Sequence, residues 1–253
     1  MAIEFRRKPG IVAYLTAGDP DLETTREVAL AAIDNGADVI ELGVPFSDPL
    51  ADGPVIQRAS ERAVAGGTRL TDVLVLARKL RAARPAAGLV LFSYLNPVVR
   101  MGMHEFCARS SEAGIDGVLL TDMIVEEAGE YLREMRTAKL QPIFLAAPTS
   151  TDKRLKAIAE VSQGFVYAIS RVGITGTQQN VEGDAAVLVR RLRQFTTLPI
   201  AVGFGISNAE HVHAVGEFAD AAVIGSAIVA LIEKSEPERA AEAVGRFIAG
   251  LRD

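Results

Sequence analysis

The chain alternates short apolar runs with longer amphipathic stretches, and this rhythm constrains its fold more than any other feature. Several runs are almost entirely apolar, as in GLVLF and DAAVIG. The eight runs are Ile11–Thr16, Asp38–Leu42, Leu89–Phe92, Gly117–Leu120, Pro142–Leu145, Phe165–Ile169, Pro199–Val202 and Ala221–Ile224. Runs without polar–apolar alternation are typical of parallel strands that are buried on both faces.

Between the runs, apolar residues recur at helical spacing, as in Val125–Lys139. Gly36 and Gly114 follow two such stretches, where a helix C-cap is expected. Eight strands alternating with helices predict an α/β fold, a single closed (β/α)8 TIM barrel spanning residues 1–253. We expect extra N- and C-terminal helical segments, the latter over Glu236–Leu251. An open doubly wound sheet is the alternative, but no GxGxxG pattern follows the first run.

Composition argues against several functional classes. The net charge of −5 disfavours nonspecific binding to nucleic acid. No uncharged apolar stretch reaches about 18 residues, and the start MAIEFRRKPG does not read as a secretory signal, so we expect a cytoplasmic protein without a membrane span. Cys107 is the single cysteine, and His211 and His213 do not share a helix face, so no metal site is predicted.

Two carboxylates in the segment ELGVPFSDPLADGP are candidates for proton transfer. Glu41 lies near the end of an apolar strand, where an acid is costly unless it is paired or faces a site. Asp52 follows eleven residues later, in the loop that leaves the strand. Barrel active sites lie at the C-terminal ends of the strands, and paired carboxylates with separated pKa values suit acid–base chemistry. The residues alone leave open that Glu41 is structural and that Asp52 belongs to a turn.

Three glycine-rich turns follow the sixth, seventh and eighth runs, within Ser170–Gln178, Val202–Ser207 and Ile224–Val229. Late loops of barrels often bind phosphate, because glycines let backbone N–H groups approach an anion at a helix N-terminus. Gly225 and Ser226 stand where a strand gives way to a helix. The alternative is that these glycines only make tight turns, but three such turns together favour a phosphate site.

The positions of the tyrosines and lysines bear on the kind of pocket and on the reaction mechanism. Tyr14, Tyr94 and Tyr167 lie in or just after predicted strands, so they either line an apolar pocket or pack in the core. No lysine lies inside a predicted strand, which disfavours a Schiff-base mechanism. What remains is acid–base work on a phosphorylated substrate without a cofactor.

The segment from Glu41 to Pro54 closely resembles the tryptophan synthase alpha subunit family. The resemblance continues in order through YLTAGDP, SYLNPV, DGVLLTD, APTST, YAISRVGITG, GFGIS and IGSAIV. It implies retro-aldol cleavage of indole-3-glycerol phosphate to indole and glyceraldehyde 3-phosphate, with Glu41 and Asp52 as catalytic residues. The substrate-binding residues that it implies are Tyr14, Tyr167, Thr175, Gly176, Gly205, Gly225 and Ser226, and the pocket hypothesis adds Tyr94. Tyr14 stands where the family often has phenylalanine.

The resemblance also implies a partner. The family's alpha subunit docks on a beta subunit in an αββα heterotetramer, and indole passes to that subunit for condensation with L-serine. Pyridoxal phosphate is then expected in the beta subunit and no cofactor in this chain. Ile124 departs from the family's usual proline in a region expected to face the partner. Alternatives are a stand-alone indole-3-glycerol-phosphate lyase and a noncatalytic phosphate-binding regulatory barrel, with phosphate-sugar isomerases and synthases of the same fold more distant.

Overall fold

The computed structural model describes residues 3–169, 181–203 and 205–252. The strands in these ranges are β1 (Gly10–Thr16), β2 (Val39–Gly43), β3 (Gly88–Ser93), β4 (Gly117–Leu120), β5 (Gln141–Ile143), β6 (Leu145–Ala146), β7 (Val166–Ile169), β8 (Ile200–Gly203) and β9 (Ala221–Ile224). The helices are α1 (Leu22–Asp34), α2 (Pro54–Ala65), α3 (Leu70–Ala83), α4 (Leu95–Met101), α5 (Met103–Glu112), α6 (Gly129–Thr137), α7 (Asp152–Val161), α8 (Val181–Leu192), α9 (Ala209–Gly216), α10 (Ser226–Glu233) and α11 (Pro237–Gly250). None of these helices has the length and apolar character of a membrane span.

The strands form one parallel sheet in the order β5-β4-β3-β2-β1-β9-β8-β7-β6. Its two end strands, β5 and β6, are consecutive in the chain and separated only by Phe144. The sheet therefore curls around until its ends meet, which confirms the barrel and rules out the open sheet. The predicted run Pro142–Leu145 is divided between these two short strands, and the other seven runs each match one strand.

Two apolar layers explain why the strands show no polar alternation. Residues such as Val12, Val39 and Phe165 fill the inside of the barrel. Their chain neighbours, such as Ile11 and Ile40, pack outside the sheet in the layer that the helices cover. Since both faces of each strand are buried, an inward-facing polar residue stands out against this background.

The N-terminal arm differs from the prediction, because residues 3–9 form no helix. Ile3 and Phe5 instead pack with the inner apolar layer, and the Phe5 ring lies 5.9 Å from that of Phe165. Apolar residues two apart suit an extended segment, whose alternate side chains point the same way. The arm thus covers the barrel interior at the N-terminal ends of the strands. The C-terminal helix was predicted correctly and is α11.

Three aspartates, each just before a strand, secure the N-terminal end of the barrel. Each accepts a hydrogen bond from a backbone N–H in a neighbouring strand and pairs with an arginine. These sets are Asp38 with Ile11 and Arg252, Asp116 with Leu89 and Arg81, and Asp220 with Ile200 and Arg193. Asp38 and Asp116 are buried, and buried carboxylates stabilise a fold when they are paired and hydrogen-bonded in this way.

Candidate active site

Glu41 lies inside the barrel, and in the described part of the chain its carboxyl group has no ion-pair partner. It pairs in register with Tyr14 of β1 and Val90 of β3, while its chain neighbours pack in the outer layer. The side chain is 0% exposed, and among the described residues neither carboxylate oxygen has a hydrogen-bond partner. Burial therefore raises the pKa of Glu41 to about 8. At neutral pH this side chain is mainly a protonated acid.

Asp52 lies in the loop between β2 and α2 and has a different environment. Its side chain is half-buried, and its Oδ2 accepts a hydrogen bond of 3.0 Å from the Tyr94 hydroxyl. That hydroxyl accepts in turn from the backbone N–H of Ala51, at 2.9 Å. Burial raises the pKa of Asp52 to about 6, and the hydrogen bond from Tyr94 limits the rise. At neutral pH Asp52 is mainly ionised.

The two carboxyl groups act on the same part of the barrel. The charges of both Asp52 and Glu41 contribute to raising the pKa values of Tyr14 and Tyr167, after the larger effect of burial. One acid that keeps its proton and another that has lost it therefore both lie within electrostatic range of the same two tyrosines. Such a separation of pKa values is the arrangement that general acid–base chemistry requires.

The hydroxyl groups of two tyrosines inside the barrel lie close to glycines of the neighbouring strands. A Cβ atom built at Gly43 would lie 2.3 Å from the hydroxyl oxygen of Tyr14, and one at Gly203 would lie 2.3 Å from that of Tyr167. Any larger residue would displace the ring. Sequence reasoning assigned no role to Gly43 or Gly203, although a glycine near the end of a buried strand often marks such a close approach.

Aromatic rings form the apolar walls of the site. The rings of Tyr14 and Phe92 are 5.2 Å apart at 77°, and those of Phe46 and Tyr94 are 5.2 Å apart at 34°. Tyr14 also packs in a small apolar cluster with residues of α2 and α10. Sequence reasoning missed Phe46 and Phe92. Concave apolar surfaces with a few polar groups are typical of sites for flat organic ligands.

The late loops bring three of the predicted phosphate-binding residues to one edge of the barrel. Gly205 follows β8 with a φ of 56°, a value that favours glycine. Gly225 and Ser226 follow β9, which pairs with β8. Gly225 is the N-cap of α10 and, among the described residues, no side chain caps this helix, so its first N–H groups can face an anion. Thr175 and Gly176 lie outside the described residues.

The lysines do not fit an amine-bound cofactor such as pyridoxal phosphate. All lie in the described ranges, and each is exposed and outside the strands. They are Lys8, Lys79, Lys139, Lys153, Lys156 and Lys234. Schiff-base chemistry needs a desolvated amine. In the described part of the chain, no three His, Cys, Asp or Glu side chains are grouped to hold a metal ion.

Comparison with known proteins identifies the family. The family model for the tryptophan synthase alpha chain matches residues 2–251. A tryptophan synthase alpha chain from Solibacter usitatus is 50% identical over 235 residues, covering 93% of this chain and 88% of that protein. One from Burkholderia lata is 47% identical over 251 residues, covering 99% of this chain and 93% of that protein.

Solved structures agree in fold and in family. A chain of the tryptophan synthase complex from Pyrococcus furiosus is 35% identical, with a TM-score of 0.87 over 97% of this chain and 98% of that chain. A chain of the aminoacrylate-bound tryptophan synthase from M. tuberculosis is 34% identical, with a TM-score of 0.87 over 97% and 94%. On these matches over nearly its whole length, the chain belongs to the tryptophan synthase alpha chain family.

Proposed function

We propose that this chain cleaves indole-3-glycerol phosphate to indole and glyceraldehyde 3-phosphate, as the alpha subunit of a tryptophan synthase. One observation carries the proposal. Glu41 is a buried carboxyl group with a pKa of about 8, and it acts on the same two tyrosines, Tyr14 and Tyr167, as Asp52, whose pKa is about 6. Family membership supports the choice of reaction, because an acid and a base of this kind are what its chemistry needs.

The first step is protonation of the indole ring. The carbon–carbon bond does not break while C3 of indole would leave as a carbanion, whereas a protonated C3 gives an indolenine that accepts the bonding electrons. Glu41, protonated at neutral pH, donates the proton to C3. Asp52 accepts a hydrogen bond from the indole N–H and stabilises the positive charge that develops on the nitrogen.

The second step is cleavage of the bond between C3 and the glycerol chain. The Glu41 carboxylate left by the first step removes the proton of the hydroxyl on the adjacent carbon. That carbon forms the aldehyde, the bonding electrons return to the ring, and indole leaves. Glu41 ends the cycle protonated, so protons and electrons balance without a cofactor.

Binding of the phosphate orients the bond that breaks. In this proposal Gly205, Gly225 and Ser226 hold the phosphate through backbone N–H groups and a hydroxyl, together with Thr175 and Gly176. Tyr94 and Tyr167 line the pocket for the indole ring, with Tyr14 opposite. Contacts to a remote part of a substrate position its reacting atoms and lower the barrier.

A beta subunit completes the proposed enzyme in an αββα heterotetramer. Two of the similar structures are tryptophan synthases, one described as a complex. Leu50, Val99 and Ile124 are large exposed apolar residues that follow β2, β3 and β4, at the edge of the barrel that carries the site. An apolar surface there suits a partner that receives indole. Pyridoxal phosphate and the condensation with L-serine belong to that partner.

Indole release from indole-3-glycerol phosphate tests the function. The purified chain is assayed alone and together with a beta subunit. The beta subunit assayed by itself is the control. We expect slow release by the chain alone and a large increase with the partner. Fast release by the chain alone indicates a stand-alone lyase. No release in either condition contradicts the proposed activity and indicates a noncatalytic phosphate-binding barrel.

A further inference from the structure

Tyr14 brings a second polar group to the inside of the barrel beside Glu41. The two residues are register partners in neighbouring strands. The Tyr14 ring stands edge-on to Phe92, and its hydroxyl lies so close to Gly43 that a Cβ there would be 2.3 Å away. Gly43 is the next inward-facing residue of β2 after Glu41. The Tyr14 hydroxyl is thus held on the side of Glu41 that faces the mouth of the barrel.

The Tyr14 hydroxyl accepts a hydrogen bond but donates none to the described residues. The hydroxyl accepts one long hydrogen bond, 3.4 Å from the Thr16 Oγ1. Within the described ranges, no acceptor takes the Tyr14 proton, just as no donor reaches the carboxyl group of Glu41. Tyr14 is only 6% exposed. Since buried polar groups in native proteins are nearly always satisfied, a hydroxyl without an acceptor and a carboxyl group without a partner, on register-paired residues of neighbouring strands, point to one ligand group that meets both.

The electrostatic environment makes Tyr14 a donor and not a base. Burial raises the pKa of its hydroxyl well above the usual range, and the charges of Asp52 and Glu41 raise it further. The hydroxyl therefore keeps its proton at neutral pH, and it offers a fixed dipole to a ligand atom that gains negative charge.

We propose that the Tyr14 hydroxyl donates a hydrogen bond to the substrate oxygen from which Glu41 removes a proton. This inference rests on the function proposed above. During cleavage the hydroxyl proton of the glycerol chain moves to Glu41, the carbon–carbon bonding electrons move into the protonated ring, and the oxygen becomes the aldehyde oxygen. Tyr14 keeps its own proton throughout. Its hydrogen bond stabilises the partial negative charge on that oxygen as the bond breaks.

Tyr14→Phe tests the proposal, because it removes the hydroxyl and keeps the ring. It is measured in the complex with the beta subunit, for kcat and KM of indole release. We expect kcat to fall by at least about tenfold, as for the loss of one preorganised donor, with a smaller change in KM. Binding of indole-3-propyl phosphate, which lacks both hydroxyls of the glycerol chain, is expected to stay within about twofold of wild type.

Tyr131→Phe is the matched control for the loss of a buried hydroxyl. Tyr131 is buried in the outer layer, and its hydroxyl donates to the Val118 carbonyl at 3.0 Å. This variant is expected to lower the unfolding temperature and to leave kcat and KM unchanged.

Three outcomes overturn the inference. A wild-type kcat in Tyr14→Phe shows that the hydroxyl makes no contact in the transition state. Equal losses in turnover and in binding of the propyl analogue show that the ring packing, and not the donor, was disturbed. Absence of indole release by the wild-type complex overturns the inference together with the proposed function. If the wild-type complex releases indole, the proposed function stands, and the result for Tyr14→Phe tests the inference alone.

Discussion

Asp38 and Glu41 are three residues apart in one buried segment, and their carboxyl groups have opposite environments. Asp38, at the N-terminal end of β2, accepts backbone hydrogen bonds from Ile11 and Arg6 and pairs with Arg252. Glu41, within β2, has no hydrogen-bond partner among the described residues. Both are buried. The N-terminal end of the barrel thus stabilises the charge that it buries, and the C-terminal end keeps a carboxyl group available for a substrate.

This difference separates stability from function within a segment of four residues. A paired carboxylate such as Asp38 closes the barrel, and the fold is destabilised if its partner remains without it. A buried carboxyl group such as Glu41, which has no hydrogen-bond partner in the described ranges, costs stability, and it is tolerated because a raised pKa keeps it neutral. Active sites commonly combine such a cost with activity. The predictions below test the contrast, from the largest expected effect to the smallest.

Glu41→Gln is expected to lower the rate of indole release by about a thousandfold, in the range for loss of a general acid–base group. Glutamine has nearly the same shape but neither donates a proton to C3 nor accepts one from the substrate hydroxyl. The measurement is kcat in the complex, with binding of indole-3-propyl phosphate as the control for an intact pocket. Near-normal turnover would remove Glu41 from the mechanism.

Asp38→Asn is expected to lower the free energy of unfolding by about 3–5 kcal/mol, because it leaves the half-buried Arg252 guanidinium without its charged partner. Urea unfolding at pH 7 measures this change. If the variant folds, its KM for the substrate should match that of wild type, since Asp38 lies at the opposite end of the barrel. A large loss of activity without a loss of stability would contradict the division of roles.

Glu41→Gln is expected to raise stability by an amount that grows with pH. The folded-state pKa of Glu41, about 8, lies above the ordinary value of 4.5. Folding therefore favours the protonated form of Glu41. The contribution of this form to the free energy of unfolding is complete below about pH 4.5 and is lost as the pH rises through 8. Glutamine stays neutral, so the stability difference should grow by about 3–4 kcal/mol between pH 5 and pH 8.

The comparison for that experiment is Glu112→Gln, at an exposed glutamate on α5. Its effect on the free energy of unfolding should be small at both pH values. A difference for Glu41→Gln that is independent of pH would mean that the carboxyl group has a partner in the folded protein.

Tyr94→Phe is expected to lower kcat by about tenfold at pH 7, through Asp52. The Tyr94 hydroxyl donates to Asp52 and lowers its pKa, so its removal raises that pKa above about 6. The acidic limb of the pH–rate profile should then move to higher pH, with much of the activity regained near pH 8. A uniform loss at all pH values would indicate that Tyr94 acts only as a wall of the pocket.

The sequence predicted most of the strands because their runs are apolar on both faces. It did not predict the N-terminal arm correctly, since the role of Ile3 and Phe5 depends on the open end of a barrel that forms from distant residues. Gly43 and Gly203 were missed for the same reason. Glycine is needed at these positions because tyrosines on the neighbouring strands come close, and a contact between strands cannot be predicted from the local pattern of apolar residues.

What the sequence by itself determined is the alternation of strands and helices, the strand-end position of Glu41, the loop position of Asp52 and the glycine-rich late turns. These follow from local patterns of polarity and conformational preference. Only the tertiary structure decided which buried acid has partners. Asp38 meets Arg252 from the far end of the chain, whereas Glu41 has no hydrogen-bond partner among the residues that the structure describes. The pKa of a carboxyl group depends on what surrounds it in space, and closure of the barrel brings those surroundings together.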